Sequence, residues 1–400
     1  MNKLIINDLE LNGKHVLMRV DFNVPLDENL NVLDDTRIRK VLPTIEYILS
    51  KGASLTLLSH LGRPKGSVIT EMSLKTVAEH LSRLLMKPVD FVSDCIGPET
   101  VDKNAKLIPG QVLLLENLRF HKEETENDSE FAEILAKFGD VYVNDAFGTA
   151  HRAHASTEGV TRFFDLCAAG FLMEKEINYL TNAVENPNRP LAAIIGGAKI
   201  SGKIDAIQNL LAKVDVLLIG GGMAFTFFKA LRYEIGNSIL EEDRIEIAKD
   251  ILRQTEKEGR DLVLPIDVLT TDHLDNTSNL QIMNANSMTP EIIGVDIGPG
   301  SIALFREKLV NVKTVVWNGP MGIFEQPEFA KGTFEIAKIL STLTKKGALT
   351  IVGGGDSVAA INQCGFQDSI THISTGGGAS LELLSGYELP GLAALTDKRN

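Results

Sequence analysis

Leu191-Ala-Ala-Ile-Ile-Gly-Gly-Ala-Lys199 is a short apolar run that breaks into two glycines and a lysine, and the figure recurs through the second half of this chain. Val216-Leu-Leu-Ile219 runs into Gly220-Gly221-Gly222, and Val315-Val-Trp317 into Asn318-Gly319-Pro320. Thr350-Ile-Val352 runs into Gly353-Gly354-Gly355-Asp356-Ser357, and Thr371-His-Ile-Ser374 into Thr375-Gly376-Gly377-Gly378. Continuous apolar runs of this length read as strands buried on both faces. The amphipathic stretches between them read as crossover helices, so the pattern implies an α/β fold with a largely parallel sheet. Ligands of such sheets bind beyond the carboxyl ends of the strands. Glycine there allows close backbone approach, and a following helix offers free N–H groups to an anion. One glycine turn is explained by packing alone. Five at the same edge point to a phosphate- or nucleotide-binding face.

The first half repeats the alternation with different chemistry at the strand ends. Strands are expected at 15–22, 54–60, 89–92, 112–116 and 141–145, and further ones at 262–266 and 293–297 in the second half. A helix is expected from Asp35, on the spacing of Ile38, Val41, Leu42, Ile45, Ile48 and Leu49, with Pro43 predicting a kink or an early stop. Leu74, Val77, Ala78, Leu81, Leu84 and Leu85 mark a second helix. Strand ends here carry Arg19-Val-Asp21, Ser59-His60-Leu-Gly-Arg63, Glu116-Asn-Leu-Arg119 and Asn144-Asp145, the last leading to His151-Arg152. Any one arginine reads as a surface ion pair. Arg37, Arg63, Arg119 and Arg152, gathered with His60 and His151 on one face, read as a receptor for a small polyanion, because the guanidinium fork matches carboxylate and phosphate oxygens. Metal binding by His60, His151 and His154 is disfavoured by those arginines and by the lack of cysteine or glutamate at ligand spacing. Glu185-Asn-Pro-Asn-Arg-Pro190, after a helical stretch over 171–184, reads as a linker between two α/β domains.

Composition narrows the classes. With 53 acids against 40 bases the net charge is -13, which argues against nucleic-acid or anionic-membrane binding. A 44% hydrophobic and 23% charged chain is ordinary for a globular protein. Cys95, Cys167 and Cys364 form neither a disulfide framework nor a metal spacing, which suggests a reducing compartment. No run of about 18 apolar residues exists and the amino terminus is too polar for a signal peptide, so a cytoplasmic protein is expected.

Two motifs nearly match known patterns. Gly197-Ala-Lys-Ile-Ser-Gly-Lys203-Ile204 approaches a P-loop, but Ile204 stands where a magnesium-binding hydroxyl belongs. Lys199 and Lys203 remain, one turn apart and able to face the same phosphates. Gly298-Pro-Gly-Ser-Ile-Ala303 approaches a dinucleotide fingerprint, with Pro299 fixing the turn and no acid convincingly placed downstream. Asp356 follows three glycines at a helix start, where it serves as an N-cap and is also a natural Mg²⁺ ligand beside a phosphate face.

At nine stretches the sequence closely resembles the phosphoglycerate kinase family. They are RVDFNVP (19–25), SHLGRP (59–64), ENLRF (116–120), NDAFGTAHRAHAS (144–156), GGAKISGKI (196–204), GGGMAFTF (220–227), WNGPMGIFE (317–325), GGGDS (353–357) and STGGGASLELL (374–384). The resemblance spans almost the whole chain in order. It implies two doubly wound parallel-sheet domains joined by an interdomain helix, with a deep cleft between them: an acid-substrate domain over 1–170, a connecting helix and linker over 171–190, a nucleotide domain over 191–388, and a tail, 389–400, returning to the first domain. It assigns the acid substrate to Asp21, Phe22, Asn23, Arg37, His60, Arg63, Arg119 and Arg152. It assigns the nucleotide to Gly197, Ala198, Lys203, Gly221, Gly294, Asn318, Pro320, Glu325 and the turn Gly354, Gly355, Asp356 and Ser357. Lys199 resembles the lysine that follows the transferred phosphoryl group, with Gly376, Gly377 and Gly378 supporting it. Ser357 departs from the threonine common in the family, and Ser201-Gly202 from an acid common before the second lysine.

The implied reaction moves a phosphoryl group from 1,3-bisphosphoglycerate to ADP, giving 3-phosphoglycerate and ATP, with Mg²⁺ accompanying the nucleotide. Neither a carboxylate nor a phosphate nucleophile needs a general base, and no nucleophile–base pair is evident in the motifs. The chemistry asks instead for positioning and charge neutralisation, which Arg37, Lys199 and the Gly376–Gly378 amides would supply. The other readings are a nicotinamide dehydrogenase using 298–303 and a two-lobed anion-binding protein without turnover. A monomer acting by hinge closure near 171–190 is expected.

Overall fold

The structure, a computed structural model, describes residues 2–275 and 278–398. The chain divides into two compact units, Met1–Asn178 with Glu388–Asn400, and Tyr179–Tyr387. The boundary falls inside a helix rather than at its ends.

The first unit carries strands β1 (His15–Arg19), β2 (Ser54–Leu58), β3 (Val89–Phe91), β4 (Val112–Leu114), β5 (Val141–Asn144) and β6 (Cys167–Ala169). All pair in parallel, in the order β3-β4-β2-β1-β5-β6. Helices α1 (Thr36–Ser50), α2 (Lys75–Leu85), α3 (Pro98–Ala105), α4 (Lys122–Thr125), α5 (Ser129–Ala136) and the start of α6 (Phe171–Glu185) accompany them. The core is built from Val16, Met18, Leu55, Leu57, Leu114 and Val143 of the strands against Ile38, Val41, Ile45 and Ile48 of α1 and Val77 and Leu81 of α2. Pro43 does not stop α1, which continues to Ser50. Burial of Thr44, Ile45, Ile48 and Leu49 beyond it outweighs the one backbone hydrogen bond that proline removes. Short strand β6 was not expected from the sequence; Cys-Ala-Ala gives no strand signal beyond being apolar.

The second unit continues α6 into β7 (Leu191–Ile195), α7 (Ile204–Leu211), β8 (Val216–Ile219), α8 (Ala224–Ala230), α9 (Ile245–Glu258) and β9 (Asp261–Val263). Strands β10 (Asp267–Thr271), β11 (Gln281–Asn284) and β12 (Ile293–Ile297) follow, then α10 (Pro299–Leu309), β13 (Thr314–Asn318), α11 (Lys331–Lys345), β14 (Leu349–Gly353), α12 (Gly355–Gln363), β15 (His372–Ile373) and α13 (Gly378–Leu384). Its main sheet is again six-stranded and parallel, in the order β15-β14-β13-β7-β8-β9. A separate antiparallel sheet, β11-β10-β12, removes residues 293–297 from the parallel sheet where the sequence reading put them. That run is apolar apart from Asp296, and periodicity cannot say which sheet a buried strand joins. After β13 no helix follows at once; α11 starts at Lys331.

From Glu388 the chain packs with the first unit, through α14 (Pro390–Ala393). Gly391 N donates to Ala150 O at 2.8 Å, Asn144 Nδ2 donates to Gly391 O at 3.1 Å, and Thr396 N donates to Cys167 O at 3.0 Å. The ties reach the last residue of β5, the loop that follows it and the first residue of β6.

Asp145, just beyond β5, is fully buried and accepts from Met173 N at 2.8 Å, so it caps the first turn of α6. Burial pushes its carboxyl up to about 7, with Glu176 adding to the rise and hydrogen bonds from Thr44, Met173 and Leu172 opposing it. A folded-state pKa above the unfolded 3.8 means that the native state binds the extra proton across that window, so stability falls as pH rises from about 4 to about 7. Asp145→Asn keeps an acceptor for Met173 and removes the titration. Thermal melts of the variant should therefore lose part of the decline over that window; an unchanged slope would rule out Asp145 as its source.

Candidate functional site

In a doubly wound sheet the winding direction reverses between two central strands, and a crevice opens beyond their carboxyl ends. In the first unit these strands are β1 and β5, and the loops that leave them carry the basic motifs. Arg37, in the first turn of α1, pairs with Asp21 Oδ2 at 2.9 Å and donates to Asn23 O at 3.2 Å. Asn23 Oδ1 accepts from Gly62 N at 2.9 Å, and Phe22 N donates to Ser59 Oγ at 2.9 Å, which ties the β1 loop to the β2 loop. Arg119, only 7% exposed, donates through Nη1 to Gly62 O at 2.9 Å and leaves Nε buried without a partner. Arg152 Nε donates to His151 Nε2 at 3.2 Å. Arg63 is exposed and makes no hydrogen bond or ion pair among the described residues.

This crowd of cations shapes the titrations. His60 is pushed well below 6.5, first by burial and then by Arg19, Arg119, Arg37 and His154. His154 falls to about 3 for the same reasons, first by burial and then by Arg119 and Arg19. Its Nδ1 lies 3.7 Å from Glu124 Oε1, beyond hydrogen-bond reach, so a neutral ring and not an ion pair stands there. Burial and the neighbouring Arg19 and Arg152 lower Arg119 to about 10. The set is thus fixed positive charge from guanidinium groups with neutral imidazoles among them. Sequence reasoning quoted Arg19 at a strand end and Ser156 in a motif without giving either a role, and passed over Glu124; all three are fully buried. The available signal for Arg19 was a single charge ending an otherwise apolar strand, which demands buried partners.

In the second unit the reversal lies between β7 and β13. Three glycine turns interlock there. Gly196 N donates to Asn318 O at 2.9 Å, Gly197 N to Pro320 O at 2.8 Å, and Gly221 N to Met321 O at 3.1 Å. Packing therefore accounts for part of the glycine content: a Cβ on Gly196 or Gly319 would strike the backbone of the facing turn. Lys203 is turned inward and donates to Gly196 O at 2.7 Å, Asn318 Oδ1 at 2.8 Å and Asn318 O at 3.1 Å. Its three N–H groups are all engaged, and burial lowers it to about 8. Lys199 is exposed, so the two lysines are not side by side on one anion. By donating to Oδ1, Lys203 fixes the Asn318 amide, whose Nδ2 is left buried and unpartnered beside the Gly354 turn.

A cavity of about 450 Å³ opens over these turns, lined by Gly197, Ala198, Gly221, Phe225, Gly294, Pro320, Glu325 and Asp356 among others. Gly294 has no room for a Cβ, because Phe225 packs against it. Asp296, buried beneath the cavity, accepts from Gly332 N and from Ile297 N at 2.8 Å and is pushed up to about 7 by burial. Asp356, exposed in the first turn of α12, makes no protein hydrogen bond or ion pair among the described residues. Ser357 Oγ accepts from Gly319 N at 2.6 Å, so its hydroxyl braces the β13 turn. Gly377, with φ +43, precedes α13, whose first amides have no intrahelical acceptor. An apolar cradle, an orphaned amide donor and a free carboxylate fit a nucleotide carrying Mg²⁺.

The 298–303 turn is not available to a cofactor. Asp267 Oδ2 accepts from Gly300 N at 2.8 Å and Oδ1 from Ser301 N at 2.6 Å, so a carboxylate of the chain already fills the α10 amino terminus. Among the described residues the one set with metal-ligand spacing is Asp94, Cys95 and His121.

A profile of the family described as phosphoglycerate kinase matches residues 6–387. The phosphoglycerate kinase of Chloroherpeton thalassium is 56% identical over 397 residues, 99% of this chain and 100% of that protein. That of Thermosynechococcus vestitus is 55% identical over 388 residues, 97% of each. The structure of phosphoglycerate kinase from Coxiella burnetii superposes with a TM-score of 0.88 at 39% identity, covering 98% of both chains. The enzyme from Pyrococcus horikoshii OT3 gives 0.84 at 32% identity, again with 98% coverage of each.

Gly221 separates packing from space. Its φ is +68, and a Cβ would lie 2.5 Å from Gly197 N, 2.6 Å from Gly197 O and 2.8 Å from Pro320 O, whereas one on Gly202 would meet nothing within 4 Å. Gly221→Ala should lower the melting temperature and weaken ADP binding by about tenfold or more in calorimetric titration, and Gly202→Ala should change neither. Equal effects of the two would mean the interlocked turns do not shape the cavity.

Proposed function

Because the chain belongs to the phosphoglycerate kinase family, which transfers a phosphoryl group to and from the carboxyl group of 3-phosphoglycerate, we propose that its two constellations divide the two substrates. The acid is held in the first unit by Asp21, Phe22, Asn23, Arg37, His60, Arg63, Arg119 and Arg152. The nucleotide lies over the β7, β8, β13 and β14 turns, against Gly197, Ala198, Gly221, Gly294, Asn318, Pro320, Glu325 and Gly354 to Ser357. The observation that carries this reading is that each unit has one anion-receptive set, and each set lies at the reversal point of its own parallel sheet.

The residues divide the labour by charge. Arg63 is open to an anion, the buried Nε of Arg119 is left unsatisfied behind it, and Asp21 and Asn23 O hold Arg37 in place. Neutral His60 donates one directed hydrogen bond without adding a titrating charge. Lys203 supports the nucleotide from behind, through the Asn318 amide it orients. Lys199, which is exposed, follows the phosphoryl group, and the amides of Gly377 and Gly378 receive its oxygens, while Gly376 N is taken by Ser374 Oγ at 3.1 Å and braces the turn. Asp356 would hold the Mg²⁺ that accompanies the nucleotide and helps to neutralise its phosphates. No general base is called for, since the attacking oxygen is ionised at neutral pH in either direction. With substrates on separate units, direct in-line transfer calls for closure about 171–190. A cytoplasmic monomer belongs to the same reading; among the described residues no helix is long and apolar enough to cross a membrane.

A coupled assay should detect ATP-dependent phosphorylation of 3-phosphoglycerate that is lost on chelation of Mg²⁺; activity indifferent to chelation would remove the metal from this account. Lys199→Ala should lower kcat by about 10² to 10³, by analogy with deletion of one transition-state donor, with ADP affinity within several-fold. Arg63→Ala should mainly raise KM for the acid. Near-normal turnover in the first, or an effect confined to ADP in the second, would contradict the assignment.

A further inference from the structure

Arg19 closes β1, and none of its surface is exposed. Its guanidinium has donors and no acceptor, so every group it touches must accept. Nη1 donates to Val20 O, Nε donates to Ser156 Oγ at 2.8 Å, and Nη2 lies 3.1 Å from His60 Nδ1. On the far side of Ser156 stands Glu124, fully buried, whose carboxylate accepts from Ser156 Oγ at 2.6 Å and Ser156 N at 2.9 Å. The serine has one proton, and Glu124 takes it; its lone pair therefore faces Arg19. The direction of the chain Glu124–Ser156–Arg19–His60 is set from both ends, by a group that accepts and a group that donates.

We propose that Arg19 is a positioning residue that locks His60 in the tautomer with its proton on Nε2, so that the ring offers an N–H and not a lone pair to the acid substrate. With Nδ1 accepting from Nη2, a neutral ring has its proton on Nε2. Neutrality follows from the surroundings: the residue is 3% exposed and lies in the field of Arg19, Arg119, Arg37 and His154. Nε2 has no protein partner among the described residues and is not enclosed without one. In the other tautomer Nε2 would present a lone pair to a substrate oxygen, turning an attraction into a repulsion. The kinetic consequence rests on the assignment of His60 to the acid site; the tautomer does not.

Long-range proton–nitrogen correlation spectra of histidine-labelled full-length protein test this, with the His60 signals identified by their loss in His60→Gln. The wild type should show His60 in the Nε2–H form alone at neutral pH. Arg19→Lys, which keeps a positive charge and loses the fork, should release the ring into a mixture of tautomers and raise KM for 3-phosphoglycerate about tenfold or more, with KM for ATP within about twofold. An Nδ1–H or doubly protonated ring in the wild type, or an unaltered tautomer in Arg19→Lys, overturns the inference. If the lysine variant fails to fold, the wild-type spectrum still decides the tautomer. A locked Nε2–H tautomer together with a His60→Gln effect confined to the KM for ATP would instead overturn the acid-site assignment.

Discussion

Both sheets face the same problem where their winding reverses. Between two central parallel strands the covering helices diverge, and backbone groups at the strand ends lose their neighbours while remaining deep in the fold. Each unit meets this with an inward-turned cation, fully buried in the first and partly buried in the second. In the first, Arg19 at the end of β1 binds Val20 O, Ser156 and His60. In the second, Lys203 joins Gly196 O at the end of β7 to Asn318 at the end of β13. What the crevices can bind depends on these two clamps, because they decide which polar atoms remain unsatisfied on the open side.

A buried charge is tolerated when several groups satisfy it. Lys203 has three oxygens, yet burial still brings it down to about 8, so its charge is the more conditional of the two. Guanidinium does not lose its proton near neutrality, and the first unit accordingly concentrates its positive charge in arginines. Their field and the burial of the rings keep His60 and His154 uncharged. The result is a constellation whose positive charge varies little with pH and whose neutral imidazoles offer directed hydrogen bonds.

The helices tell a related story about tertiary override. Pro43 argues locally against a continuous α1, and packing of the following turn prevails. At the other end of the scale, the short antiparallel sheet of β10, β11 and β12 has little periodic signal of its own, and Gln281–Asn284 is largely exposed. Asp267, the first residue of β10, caps α10 and thereby denies that helix terminus to an anion, something that local glycine spacing at 298–300 could not reveal.

Read by itself, the chain determined the alternation of strands and helices, the two-unit α/β character, and the residue types at the carboxyl ends, since continuous apolar runs and strand-end glycines or arginines are local patterns. The nine motifs carried the family. What tertiary structure alone decided was which polar atoms are consumed and which are left over: that Lys203 faces inward while Lys199 is exposed, that Asn318 retains a free Nδ2, and that Arg19, hidden in an apolar strand, sits behind His60. Those outcomes depend on contacts between residues 41, 115 and 137 positions apart, and no pattern along the sequence encodes the angle at which two distant loops meet.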